Sequence, residues 1–182
     1  MPSLEDRLKI LEAKIDTHAQ RHMRGGPDRI LNLPLGSAPA FLDTKVARKT
    51  SNESVTNSAV LQNDDDLFID GEGGSVWCFE CHLFQSAGTT APDIKIKWSV
   101  PSGCTMKWGA DSPGTEGMTV LTETTERTWN VAVASTYKVL RGLIIFGGTP
   151  GRVRLQWAQN AATAGVSTTL EASSFLVAWR IA

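Results

Sequence analysis

The chain has 182 residues, 41% hydrophobic and 20% charged, which is enough to bury a full core and reads most simply as one compact domain with an appendage. A formal net charge of -1 and a sequence pI near 6.3 give no global attraction to phosphate polymers, and no local basic patch qualifies as a nucleic-acid surface. The start "MPSLEDRLKI" carries charges where a signal peptide needs an apolar core, and no run approaches the roughly 18 apolar residues of a membrane span. A soluble protein made in the cytosol, without nucleic-acid or membrane partners, is expected.

The first segment places Leu4, Leu8, Leu11 and Ile15 at the a and d positions of a heptad. Ser3 with Asp6 resembles a capping box, and Pro2 suits a helix start, so a coiled-coil helix is expected within residues 1–24. Its apolar stripe is narrow, and a lone helix of this kind is marginal in water, so it asks for partners. The same heptad puts His18 and His22 at the next d and a positions. Histidines at i and i+4 can chelate zinc, but the glutamate and third ligand of the metalloprotease pattern are missing. Polar seam positions more often set register and oligomer state, so the favoured reading is stacked seam histidines, with surface residues or a metal ring as alternatives. Protonation near about pH 6 is then expected to loosen the stem.

At "RGGPDRI" the helix must stop, because Gly25 and Gly26 free the backbone and Pro27 bars its predecessor from the helical region. Residues 25–42 read as an irregular linker hinged at Gly25, Gly26 and Pro27, with Leu31, Leu33 and Leu35 free to tuck into a neighbour.

From residue 43 to 182 the period changes to two. "DTKVARKT" and "SVTNSAVLQ" come first, then the turn "NDDD", then "LFIDGEGGSVWCFECHLFQS". In "SVWCFECHLF", Trp77, Phe79, Cys81 and Leu83 share one face, and Cys78, Glu80 and His82 the other. "DIKIKWSVP" aligns Ile94, Ile96, Trp98 and Val100; "GRVRLQWAQ" aligns Val153, Leu155 and Trp157; "SSFLVAWRIA" offers Phe175, Val177, Trp179 and Ile181. About eight to ten antiparallel strands are expected, in a mainly β sandwich, with a jelly roll the first choice. Trp77, Trp98, Trp129, Trp157 and Trp179 fall in these strands and are expected to fill the core, whereas Trp108 in "MKWGADSPG" reads as part of a loop.

The chemistry of an active site is sparse. Cys78, Cys81 and Cys104 cannot all pair within one chain, and the spacing of "CFEC" inside a strand points its two thiols apart rather than toward one metal. His82 is the single histidine outside the helical tail, so any Ser-His-Asp arrangement would have to be built around it, and with Glu80 it reads as an outward polar pair. "NDDD" lacks the spaced acids and closing glutamate of a calcium loop. "GEGG" and "FGGTPG" have no following lysine and helix, and read as hairpin turns. Lys45, Arg48 and Lys49, or Arg152 and Arg154, are available to steer an acidic partner, and scattered surface charge explains them equally well. No catalytic residue, metal ligand set or cofactor is expected.

The heptad helix leading into "HAQRHMRGGPDRI", with its H-x3-H-x2-GG-x-D core and a following all-β unit, resembles virion proteins of tailed phages, particularly those infecting actinobacteria. The run from "VLQNDDDLF" through "PSGCTMKW", and "RLQWAQN" before a final strand, resemble the jelly-roll module of such proteins. Where that family often has proline after the aspartate of the turn, this chain has Arg29. The resemblance implies a non-enzymatic, homotrimeric virion protein: a capsid decoration or head-spike protein bound to the major capsid protein on the outer capsid surface. The alternative is a minor tail-tip adhesin, carried by tail proteins, that reads a host-surface glycan through an exposed aromatic shelf at Trp108. In either case Leu4, Leu8, Leu11, Ile15, His18 and His22 form the oligomerisation seam.

Overall fold

The computed structural model describes residues 43–90, 92–111 and 119–182, which belong to one compact unit, Ala40–Ala182. The expected helix of residues 1–24, its seam and the linker 25–42 with its glycine-proline hinge lie outside the described residues.

The described residues contain no helix and twelve strands, somewhat more than the eight to ten expected. In chain order they are β1 (Thr44–Arg48), β2 (Glu53–Thr56), β3 (Gln62–Gly71), β4 (Val76–Ala87), β5 (Ile94–Ser99), β6 (Thr105–Ala110), β7 (Leu121–Thr122), β8 (Arg127–Trp129), β9 (Thr136–Ile145), β10 (Gly151–Gln159), β11 (Ser167–Leu170) and β12 (Phe175–Arg180). All pairings are antiparallel. The larger sheet runs β1-β12-β4-β9-β6-β7, with β11 also against β4 and β2 against β11; the smaller runs β3-β10-β5-β8. Numbered from the first, the eight strands β3 to β10 therefore pair 1-8-3-6 in one sheet and 2-7-4-5 in the other. That order is two interlocked Greek keys, the jelly-roll arrangement.

Alternation builds the core. Along β4, odd-numbered residues are buried and even-numbered ones half-buried without a break, so Trp77, Phe79, Cys81 and Leu83 point inward as the sequence predicts. Facing them from the smaller sheet are Ile94, Ile96 and Trp98 of β5 and Val153, Leu155 and Trp157 of β10, all buried. The Phe79 and Trp98 rings meet edge to face with centroids 5.1 Å apart, and Trp98 meets Trp108 the same way at 6.4 Å, the geometry that aromatic quadrupoles favour. Gly142 of β9 lies opposite Phe79, and a Cβ there would stand 2.2 Å from the Lys107 carbonyl oxygen and 2.8 Å from the Phe79 ring. Only a residue without a side chain fits between the β6 backbone and that ring. "GEGG" and "FGGTPG" are not the hairpin turns expected: they carry the chain from one sheet to the other, β3 to β4 and β9 to β10, strands that do not pair with each other, and "PSG" likewise crosses from β5 to β6 with Gly103 at φ +75.

Four further sequence expectations are corrected. "NDDD" is not a turn: Asn63 to Asp66 lie inside β3, where the register against β10 jumps from Arg154–Phe68 to Gln156–Asn63. This bulge swings Asp64 into the interior. Lys49 is no surface charge but fully buried. Trp108 is not in a loop; it sits on β6, 2% exposed, and its indole N–H donates to the Thr122 carbonyl at 2.8 Å. In β12 the buried residues are Leu176 and Ala178, so Phe175, Val177, Trp179 and Ile181 face outward rather than into the core.

Candidate interaction face

The outer face of the larger sheet is built by the residues whose neighbours fill the core. On a free-standing antiparallel sandwich this face is expected to be polar, because each strand alternates between core and water. Here β12 turns Phe175, Val177 and Trp179 outward, and β1 sets Arg48, Val46 and Thr44 directly beside them. Val46 is 68% exposed, Trp179 38% and Ile181 42%. Next in the sheet, β4 contributes Cys78, Glu80 and His82, and β9 contributes Leu143, Arg141 and Val139 at the paired positions. Tyr137 and Ile145 extend the exposed apolar surface at the two ends of β9.

An aromatic ladder crosses this face. Phe175 stacks on His82 with ring centroids 4.2 Å apart and planes within 11°, and Tyr137 lies against both His82, at 5.7 Å, and Phe84, at 5.0 Å. His82 is held at both nitrogens, Nδ1 by the Tyr137 hydroxyl and Nε2 by a Glu80 carboxylate oxygen at 3.3 Å. Glu80 in turn accepts from Arg141 Nε at 2.8 Å, and Arg141 Nη1 donates to both carboxylate oxygens of Asp111 at 3.1 Å. The hydrogen bond from Arg141 holds the Glu80 carboxyl below its ordinary range, with His82 adding to the effect, while Glu80 raises the Arg141 guanidinium. The result is an apolar margin on β1 and β12 beside a charged and aromatic centre on β4 and β9. Aromatic anchors and an arginine are what protein interfaces collect at their middles.

Between β6, β9 and the segment Thr119–Val120 lies a shallow hollow of about 360 Å³, lined by Trp108, Gly109, Val120, Arg141, Gly142 and Leu143. It opens beside the Arg141 network, continuing the face toward the β6 edge.

Of the chemistry considered from sequence, Cys78 faces out and Cys81 is buried, so "CFEC" does separate its thiols by strand alternation. Burial pushes the Cys81 thiol well above its ordinary range, and Cys104 up to about 11, which keeps both as apolar thiols. The Glu80–His82 pair is outward, as expected, but sits on one strand, and the cross-strand partner of Glu80 is Arg141. Arg152 is committed to Asp70 through two hydrogen bonds and lies 3.7 Å over the Phe68 ring, so it is not a free steering charge. The buried Trp108 indole offers no glycan shelf. Sequence reasoning missed Val46, Tyr137 and Arg141, and placed the outward residues of β12 on the wrong side.

No family model matches the chain, and no curated protein matches it. Among solved structures, the Eiger TNF from S. frugiperda aligns at 12% identity over 76% of this chain and 93% of that chain, with a TM-score of 0.38. The tripod (BppUct-A-L) from the baseplate of bacteriophage Tuc2009 aligns at 10% identity over 72% of this chain and 64% of that chain, with a TM-score of 0.31. At such values neither likeness bears on function, and the fold rests on the strand pairing itself.

Proposed function

We propose that the chain is a non-enzymatic structural protein of a tailed-phage virion: a homotrimer that decorates the capsid, or stands on it as a head spike, by binding the outer surface of the major capsid protein. The resemblance of its N-terminal and strand motifs to such virion proteins supplies the virion setting. The observation that carries the assembly part is the apolar outer face on β1 and β12, with Val46, Trp179 and Ile181 exposed beside Phe175 and Val177. A sandwich that stays alone in water gains nothing by keeping such residues outside, whereas one that packs against copies of itself buries them. The N-terminal heptad would supply a second seam.

The test is the mass of the full chain in solution at micromolar concentration, by sedimentation or light scattering. A trimer is expected, and Val46→Glu should weaken its association by at least about tenfold, the equivalent of about 1.4 kcal/mol, without lowering the unfolding temperature of the chain. A wild-type protein that runs as a monomer under these conditions, away from any particle, would sink the reading. Antibody labelling of particles then separates capsid decoration from a position at the tail.

A further inference from the structure

Lys49 follows β1, and its main chain is pinned on both sides: its N–H donates to the Ser174 carbonyl at 2.8 Å and its carbonyl accepts from the Ser173 N–H at 2.9 Å. Its side chain, 1% exposed, runs inward to three carboxylates. Nζ lies 2.6 Å from Glu53 Oε2, 2.9 Å from Asp64 Oδ2 and 3.5 Å from Asp66 Oδ2. The β3 bulge leaves the Asp64 side chain fully buried, and its other oxygen, Oδ1, accepts from the backbone N–H groups of Asp66 at 3.0 Å and Leu67 at 2.7 Å. Gln62 Nε2 donates to Glu53 Oε1 at 2.7 Å, which leaves Oε2 turned on the lysine.

An ion cluster alone does not need this division of labour. An amine stands against one carboxyl group. Two backbone donors hold one oxygen of that group within the distances of about 2.7–3.1 Å that stabilise an oxyanion. A second carboxylate touches the amine and can move its protons. We propose that Lys49 and Asp64 condense to an intramolecular amide, a covalent staple between the segment after β1 in the larger sheet and β3 in the smaller one, with Glu53 as the proton shuttle.

The resting cluster is ionic. Burial works against the Lys49 charge, but the hydrogen bonds and charges of Glu53 and Asp64 outweigh it and raise the ammonium's hold on its proton. Reaction therefore begins when the ammonium gives one proton to Glu53 Oε2, a step helped by the burial that raises the Glu53 carboxyl above its ordinary range. Glu53 passes that proton to Asp64 Oδ2, so the free amine attacks Cγ of a neutral carboxyl group, and the single charge that gathers on Oδ1 is met by the Asp66 and Leu67 N–H groups. A second proton then leaves nitrogen for Oδ2, and the Cγ–Oδ2 bond breaks. The products are one amide N–H, one water and the Glu53 carboxylate as it began, so three ammonium protons and two carboxylate oxygens are accounted for without an oxidant or co-reactant. Held contact lowers the barrier that separates dilute amines and acids from amide in water, since well-oriented intramolecular pairs reach effective concentrations of about 10⁵–10⁸ M.

The intact mass of the purified full chain reads the outcome. The wild-type protein is expected one water lighter than its sequence, and proteolysis should release a branched peptide joining Lys49 to Asp64. Lys49→Arg keeps a cation without a nucleophilic amine, and Glu53→Gln keeps a hydrogen-bonding partner without a shuttle; both are expected at full sequence mass while retaining the β circular dichroism of the wild type. Asp70 precedes Gly71, a pair that also loses water by cyclising on the backbone. A loss mapped to Asp70, a Glu53→Gln chain that still carries the branch, or a wild-type chain at full mass overturns the proposal. The trimer measurement does not depend on any of these results.

Discussion

At the scale of a residue, Glu80 shows how the outer face is tuned. Its carboxylate takes Arg141 on one oxygen and His82 on the other, two hydrogen bonds that favour the charged form and depress its folded pKa below 4.5, its ordinary value. A group of this sign adds stability that is fully present above 4.5 and is lost as the pH falls toward the lower folded value. The pair lies near solvent, with a third of the Glu80 side chain exposed, so its worth is that of a screened surface pair, under about 1 kcal/mol. Glu80→Gln should therefore destabilise the protein slightly near neutrality and by progressively less between about pH 5 and pH 3, as the wild-type carboxylate takes up its proton. Denaturant unfolding of both chains across that range checks this. A gap that stays constant with pH would mean that the mutation acts through packing on His82 and Phe175 rather than through charge.

At the scale of an element, β12 separates what a sequence reveals from what it hides. In β5 and β10 the alternate residues are Lys95, Lys97, Arg152, Arg154 and Gln156, so the apolar face declares itself, and Ile94, Ile96, Trp98, Val153, Leu155 and Trp157 are buried as read. In "FLVAWR" both parities are apolar, and the larger side chains mark the outer set. Size suggested the wrong face because the inward positions, Leu176 and Ala178, need only fill the space left beside the tryptophans, while Phe175, Val177 and Trp179 form a surface of their own. The bulge in β3 was hidden for another reason: three consecutive carboxylates look like a solvated turn until the ammonium of Lys49, fifteen residues earlier, is known to lie among them. Parity makes a sharp prediction. Leu176→Ala should cost about 2–5 kcal/mol of unfolding free energy as a core truncation. Val177→Ala, one residue along and outward, should stay within about 0.5 kcal/mol when measured at concentrations low enough to keep the chains apart. Equal losses at the two positions would contradict the assigned face.

At the scale of the whole molecule, the pairing order was out of reach of local pattern. Strand period announced an antiparallel sandwich, but which strand lies beside which is set by closures between distant segments, as when β1 meets β12 and β3 meets β10. Those long-range pairings lie wholly within residues 43–182, so a chain shortened to that range keeps every described strand and every pairing of both sheets. It should fold with the β signature of the full protein, slowly, as chains dominated by non-local contacts do. Its association divides the proposed trimer into its two seams. If the sheet face and the heptad of Leu4, Leu8, Leu11 and Ile15 both hold copies together, each raises the effective concentration of the other, and removing residues 1–42 should weaken assembly without abolishing it. Sedimentation of the shortened chain beside full-length Val46→Glu measures the two contributions: a shortened chain that still associates, and loses that association on Val46→Glu, assigns a seam to the outer face of β1 and β12. A shortened chain that is monomeric at every concentration, beside a full-length Val46→Glu protein as tightly assembled as wild type, would leave the heptad as the sole seam and return the apolar face to some partner other than a second copy of this chain.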